Sequence, residues 1–307
     1  KDDDYRTTYE IFVYSFCDSN GDGIGDLNGI RSKLDYIQDL GFDAIWLTPV
    51  HPSSTYHKYD VDDYYAIDPA FGTMEDYEAL LAECHERGIR VYMDLVLNHT
   101  SDQHDWFLES ASSRDNDKSD WYIWRDAKPD GSEPTNWRSI FGGSAWTWSE
   151  TRGQYYLHTF LKEQPDLNWE NPRVRQEIFD MVNWWLDKGL GGFRIDAIIN
   201  IKKALPFRNY APDRADGLSD IHNMVHDADG IGEFLGEMRD RTFRPHRAFT
   251  VGEVFNEKEG DLPAFIGENG YFSSMFDFSE IVWGSSPAGW HDNKDITPDD
   301  YRACLFL

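Results

Sequence analysis

A β/α barrel carrying an irregular insertion after its third strand is the fold class that three observations predict. Short apolar runs alternate with helical patterns along the chain, and repeats of that kind imply parallel strands joined by right-handed crossovers. The polar residues Asp94, Asn98, His99, Arg194, Asp196 and Glu253 fall at the C-terminal ends of apolar runs, the face on which a barrel assembles its site. One interval, residues 99–169, breaks the rhythm: it is rich in Trp, Gly, Ser and Asp and poor in helical periodicity. A stretch of that length inside a compact domain reads as a functional insertion. A doubly wound sheet also binds ligands at strand C-termini, but no Gly-rich phosphate turn follows the first run here.

Taken in order, strands are expected at 9–14, 44–48, 91–97, 192–196, 249–254 and, with the weakest pattern, 274–278. Runs such as AIWLT at 44–48 and VYMDLVL at 91–97 have strand length and buried-strand composition. Helices are expected between them at 29–40, 74–87, 172–188, 228–241 and 261–267, the third opening on Pro172 as helix starts permit. The count gives about six strand–helix units. Residues 1–98 and 170–307 are therefore assigned to the barrel and 99–169 to an inserted domain.

Composition narrows the function. At 307 residues the chain can bury one large core. Aromatics make up 15%, including 12 Trp and 16 Tyr, which serve core packing or sugar-stacking surfaces equally well. The net charge of −27, from 56 acidic and 29 basic residues, supplies no basic stripe to neutralise phosphates. Nucleic acid and anionic membranes are therefore not expected partners. Cys17, Cys84 and Cys304 are widely spaced and read as free thiols. With no apolar run of membrane-spanning length and no signal-like start, a cytoplasmic location is expected, although a chain starting at Lys1 leaves a removed leader open.

Two motifs carry chemistry. In GFRIDAI (192–198), Arg194 lies two residues before Asp196, so on a strand both side chains share a face and the guanidinium can hold the carboxylate ionised. VGEVF (251–255) places Glu253 at the end of the next strand. An ionised Asp with a second, differently placed carboxyl group is the equipment of a retaining glycosidase. An Arg-x-Asp pair alone is more often a structural ion pair, and the agreement of the surrounding segments decides against that here.

The second motif is the acidic loop DSNGDGIGD (18–26). Oxygen side chains at Asp18, Asn20, Asp22 and Asp26, with the Ile24 carbonyl, can converge on a hard cation, Ca2+ or Mg2+ in its place. The closing Glu of an EF-hand is absent, since position 29 is Gly29, so a structural ion on a larger enzyme is expected rather than a calcium sensor.

DLVLNH (94–99), GFRIDAI, VGEVF and QPDLN (164–168) together resemble the α-amylase family of glycoside hydrolases over essentially the whole chain. The QPDLN form, the acidic loop and the long insertion are most similar to its oligo-1,6-glucosidase and α-glucosidase branch. The resemblance implies Asp196 as nucleophile and Glu253 as general acid/base. It implies Tyr59, His99, Phe160, Arg194 and Asp94 as substrate-binding residues, with Tyr59 stacking beneath the sugar, and short α-glucosides or oligosaccharides as substrates. It also implies a third carboxylate on a seventh strand; His291-Asp292-Asn293 follows the sixth strand too closely, so Asp292 is expected in a polar turn, and the chain is expected to end before that seventh strand. One departure bears on specificity: Tyr56 stands three residues before Tyr59, where exo-acting members carry Asp. Alternative readings are an endo-acting amylase or neopullulanase type, or a non-catalytic homologue such as a transporter heavy-chain ectodomain.

Overall fold

Six short strands run parallel and neighbour one another in the order of the chain: β1 (Thr8–Ile11), β2 (Ala44–Leu47), β3 (Arg90–Val96), β4 (Gly192–Asp196), β5 (Phe249–Gly252) and β6 (Ser274–Met275). The computed structural model describes residues 7–255, 261–276, 278, 285–286, 289–293 and 297–299. Strand order equal to chain order is what successive right-handed crossovers produce as a barrel wall is laid down. β3 is buried from Val91 to Val96 and β4 from Gly192 to Ile195, as expected of strands covered on both faces.

The crossover helices follow from local signals. α1 (Met74–Glu86) starts at a reciprocal capping box between Thr73 and Asp76. α2 (Pro172–Asp187) is capped by the Asn171 side chain and opens on a proline. Leu80 of α1 and Ile178, Val182 and Trp185 of α2 are fully buried in one cluster with Met93, Phe193 and Ile195 of the sheet. Burial of each such side chain contributes about 1.5–3 kcal/mol.

Several boundaries differ from the sequence expectation. The first strand stops at Ile11, and Val13–Phe16 forms a single helical turn. The helix expected at 29–40 is two, Leu27–Arg31 and Leu34–Asp39. Between them the Ser32 hydroxyl donates to the Gly29 carbonyl at 2.6 Å and Lys33 leaves helical geometry, the local competition by which serine bends helices. The helix expected at 228–241 spans Ile231–Met238 and widens into a π-turn at Arg239–Phe243. Pro245 follows, whose ring cannot sit against a normal helical carbonyl. β6 covers only two residues of the expected 274–278, and Asp277 lies outside the described residues. Asp292, expected in a polar turn, lies on a two-stranded antiparallel ribbon of Ser285–Ser286 and Gly289–Asn293. Cys17 and Cys84 are free thiols, and Cys304 lies outside the described residues.

The insertion has more regular structure than its sequence suggests. It contains a helix, Asp105–Ser112, and a three-stranded antiparallel sheet of Trp124–Arg125, Gln154–Leu157 and Trp146–Ser149. A second small core joins Ile123, Trp137, Trp146 and Leu157 to Ile221 and Met224. Trp137–Arg138 pairs in parallel with Ser219–Asp220. The segment after β4 is therefore built into the insertion's core. Among the described residues no helix is long and apolar enough to cross a membrane.

Candidate active site

The register of the sheet places the charged residues together. Asp94 lies opposite Arg194 across β3 and β4, and Arg194 lies opposite Val251 across β4 and β5. Alternation along β4 puts Asp196 on the face of Arg194, and two steps beyond Val251 bring Glu253 onto the same face. Gly192 makes the close approach of these strands possible: a Cβ there would stand 1.8 Å from the Phe249 carbonyl oxygen. Over the gap it leaves, the rings of Tyr92 and Phe249 stack at 5.2 Å.

One guanidinium serves three carboxylates. Arg194 Nη1 donates to Asp196 Oδ1 at 2.7 Å and to Asp94 Oδ1 at 2.8 Å, while Nη2 lies 3.1 Å from Glu253 Oε1. Burial opposes the Arg194 charge, but Asp94, Asp196 and Glu253 together outweigh it and raise its pKa. Asp94 is fully buried; its second oxygen accepts from the Tyr59 hydroxyl at 2.9 Å and from Trp46 Nε1 at 3.2 Å. Asp94, expected to bind substrate, has its oxygens on protein groups and so sets the positions of Arg194 and Tyr59.

Glu253 is placed by the backbone at the end of β4. Its Oε2 accepts from the Ala197 amide at 2.7 Å. Ala197 sits in the left-handed region, with φ 43° and ψ 35°, a conformation that is uncommon without glycine and that clusters at functional sites. The turn aims the amide of the residue after Asp196 at the carboxyl group of the neighbouring strand. Burial, reinforced by the Asp196 charge and opposed by Arg194, pushes Glu253 up to about 7. Burial also raises Asp94, against the opposing influence of Arg194. A carboxyl group with a pKa near neutrality is equipped to give and take a proton.

The pocket wall comes from loops. Tyr59 presents its ring 5.7 Å from the Arg194 guanidinium, and its backbone carbonyl receives His99 Nε2 at 2.9 Å and Gln164 Nε2 at 3.0 Å. Phe160, from the insertion, lies 5.2 Å from the His99 ring. Burial lowers the His99 pKa, against the pull of Asp196 and Asp166. Lys203 anchors this wall from below: fully buried, it pairs with Asp166 at 2.8 Å and donates to Asn98 Oδ1 at 2.9 Å. Asp94, Arg194, Asp196, Glu253, Tyr59, His99 and Phe160 are thus one constellation.

Trp46, Lys203 and the Ala197 amide belong to it as well and were not expected. Trp46 carries a signal in retrospect, because it shares strand face with Tyr92 and Asp94 through the β2–β3 register. Lys203 and the amide carry none, since neither a lone lysine in a loop nor a non-glycine left-handed turn is marked in sequence.

The acidic loop is a separate feature. Asp18 Oδ1 accepts from the Asn20 and Gly21 amides at 3.0 and 2.7 Å, and its Oδ2 from Gly23 at 2.8 Å. These bonds, led by Gly23 and Gly21, lower its pKa. Asn20 and Asp22 each accept from the amide two residues on. Asp26 is turned inward, capping Leu27–Arg31 through Gly29 at 2.6 Å and holding Ser19. Gly29 occupies the position of the missing EF-hand Glu because a Cβ there would meet the Cys17 carbonyl oxygen at 1.8 Å. The donors are hard oxygens and so chemically fit Ca2+ or Mg2+. Among the described residues, however, no group of three His, Cys, Asp or Glu side chains converges as metal ligands.

Comparison with known proteins agrees with this geometry. Residues 10–305 match the model of the α-amylase catalytic domain. The chain is 49% identical over 280 residues to a probable oligo-1,6-glucosidase 3 of Bacillus subtilis, covering 90% of this chain and 50% of the relative. It is 46% identical to an oligo-1,6-glucosidase of Halalkalibacterium halodurans over 97% of this chain and 53% of the relative. Among solved structures, trehalose-6-phosphate hydrolase of Bacillus licheniformis superposes with a TM-score of 0.89 at 41% identity, covering 98% of this chain and 53% of that one. The chain therefore spans about half the length of the curated relatives it matches. With the family model extending over nearly all 307 residues and three carboxylates gathered on one arginine, the chain belongs to the α-amylase family of glycoside hydrolases.

Proposed function

We propose that the full-length protein is a retaining hydrolase of α-glucosidic bonds, acting on short α-glucosides or α-linked oligosaccharides. The observation that carries this reading is the sharing of Arg194 between Asp196 and Glu253, with Glu253 alone clamped by the Ala197 amide. Two carboxyl groups on one guanidinium are close enough for the separation of about 5–5.5 Å that retention requires. Asp196 attacks the anomeric carbon, the C–O bond to the leaving group breaks, and Glu253 delivers its proton to that oxygen. Water then enters, Glu253 takes a proton from it, and the glucosyl–Asp196 ester is cleaved. A sugar hydroxyl replacing water would give transglucosylation through the same ester. Residues 99–169 act in this reading as the inserted domain, supplying Phe160 to the pocket wall. The aqueous cytoplasm is its proposed location. The third carboxylate that the family resemblance implies is assigned to no described residue.

Proton NMR of the first-formed product tests the mechanism: the released sugar is expected as the α-anomer, and a β-anomer would overturn the retaining assignment. We also propose Ca2+, with Mg2+ as the alternative, as a structural ion of the 18–26 loop, on the strength of its donor chemistry. Thermal melting should show stabilisation by calcium of about 2.7 kcal/mol at a hundredfold excess over Kd. The shift should vanish in Asp22→Ala, and a wild-type melting curve indifferent to calcium and magnesium would remove the ion from the loop.

A further inference from the structure

Lys58 is a buried charge that the constellation around Arg194 does not use. It stands in the loop that follows β2, one residue before Tyr59. Its ammonium lies 2.5 Å from Asp68 Oδ2 and 4.9 Å from the centre of the Phe71 ring. Both members of the ion pair are buried. The pair is closed within the loop, since the carboxylates of the site face Arg194 instead.

The backbone at Lys58 is as unusual as its side chain. Its φ is 63°, in the left-handed region that glycine enters freely and other residues enter at a cost of about 1–3 kcal/mol. Glycine would take this turn unaided, whereas a lysine needs surrounding interactions that over-determine it. On the backbone side, the Lys58 amide donates to Thr55 Oγ1 at 3.2 Å and the Tyr59 amide to His57 Nδ1 at 3.1 Å. On the side-chain side, Asp68 is itself fixed. Its Oδ1 accepts from the Ala70 amide at 2.8 Å, and its own amide donates at 2.8 Å to the carbonyl of Val50, just beyond β2. The ammonium therefore ties the turn to a carboxylate anchored at the end of a barrel strand.

What the turn delivers is Tyr59. Its hydroxyl reaches Asp94 at 2.9 Å, its ring lies 5.7 Å from the Arg194 guanidinium, and its carbonyl accepts from His99 and Gln164. These attachments diverge from one residue, so a change of chain direction at position 58 would disturb them together. We propose that Lys58 is a positioning residue for Tyr59: its ion pair with Asp68 holds the left-handed turn that sets the Tyr59 ring and hydroxyl in the pocket. The proposal rests on the glycosidase reading, in which Tyr59 meets the bound sugar.

Kinetics of the full-length protein on p-nitrophenyl α-glucoside tests it. Lys58→Gly keeps access to the turn and loses the ion pair. Combining it with Asp68→Asn removes the carboxylate that would otherwise be stranded in the interior. The double variant should raise KM by about three- to tenfold with kcat held within about twofold, the pattern of an interaction made equally in ground and transition states. In a Tyr59→Ala background the same two changes should raise KM no further, because the residue they misplace is gone. Effects that multiply in the combined variant would assign Lys58 a general structural role. A wild-type KM in Lys58→Gly/Asp68→Asn would show that the turn forms without the ammonium. Either result overturns the proposal and leaves the hydrolase reading intact. If the wild-type protein cleaves no α-glucoside, calorimetric titration of maltose replaces KM as the readout. Binding weakened by the double variant then keeps the positioning role and overturns the hydrolase, and binding unchanged by it overturns both.

Discussion

Glu253→Gln should lower kcat/KM on maltose or isomaltose by about 10²–10⁴-fold, the usual contribution of a positioned general acid. The substitution keeps the shape of the side chain and its bond to the Ala197 amide, so the fold should be unaffected. It removes the proton that the proposed acid gives and takes, together with the negative charge that faces Arg194 Nη2 at 3.1 Å. The pH profile carries a second signature. A general acid works in its protonated form, which is present below its pKa and lost above it. Because burial and the Asp196 charge push Glu253 up to about 7, wild-type kcat/KM should fall as pH rises through about 7, and this alkaline limb should disappear in the variant. A Glu253→Gln protein with wild-type rates would exclude Glu253 from the chemistry.

Arg194→Leu should cost both activity and stability. Three carboxylates lose their shared cation at once, and stranding a buried charge in this way costs about 3–5 kcal/mol. Denaturant unfolding at neutral pH should show a midpoint lowered to match, and kcat/KM should fall at least as far as in Glu253→Gln. The stability deficit should shrink in acid, where protonation of the carboxylates removes the repulsion that Arg194 had balanced. Arg194→Lys should recover little, because a single ammonium cannot present one donor to Asp196 and another to Glu253 in the geometry of a guanidinium fork. Unfolding and turnover both equal to wild type in Arg194→Leu would refute the shared-cation account.

How far the site was legible depended on whether its residues lie on strands. β4 falls at the residues where the apolar run places it, Gly192–Asp196, and the two-residue spacing of Arg194 and Asp196 gave their common face correctly. Glu253 followed by the same logic one strand later. Asp94 was found by the same logic, but its bonds to Arg194, Tyr59 and Trp46 emerge only from the register with Arg194 and the approach of the other two side chains. The insertion was the least legible part. Its helix Asp105–Ser112 is short, and the strands Trp124–Arg125 and Trp137–Arg138 have two residues each, too few for a periodicity to register. The partner of Trp137–Arg138 lies some eighty residues away at Ser219–Asp220, a pairing that no local pattern encodes.

The left-handed turn at Ala197 has a mechanical meaning beyond its strain. Asp196 ends β4 and Glu253 follows β5, so independent breathing of two strands would ordinarily blur the distance between them. Here the peptide unit that begins at Asp196 ends in the N–H that grips Glu253. The two groups are gauged against a single rigid plate, and a displacement of one strand is handed to the other before it can open the gap between them.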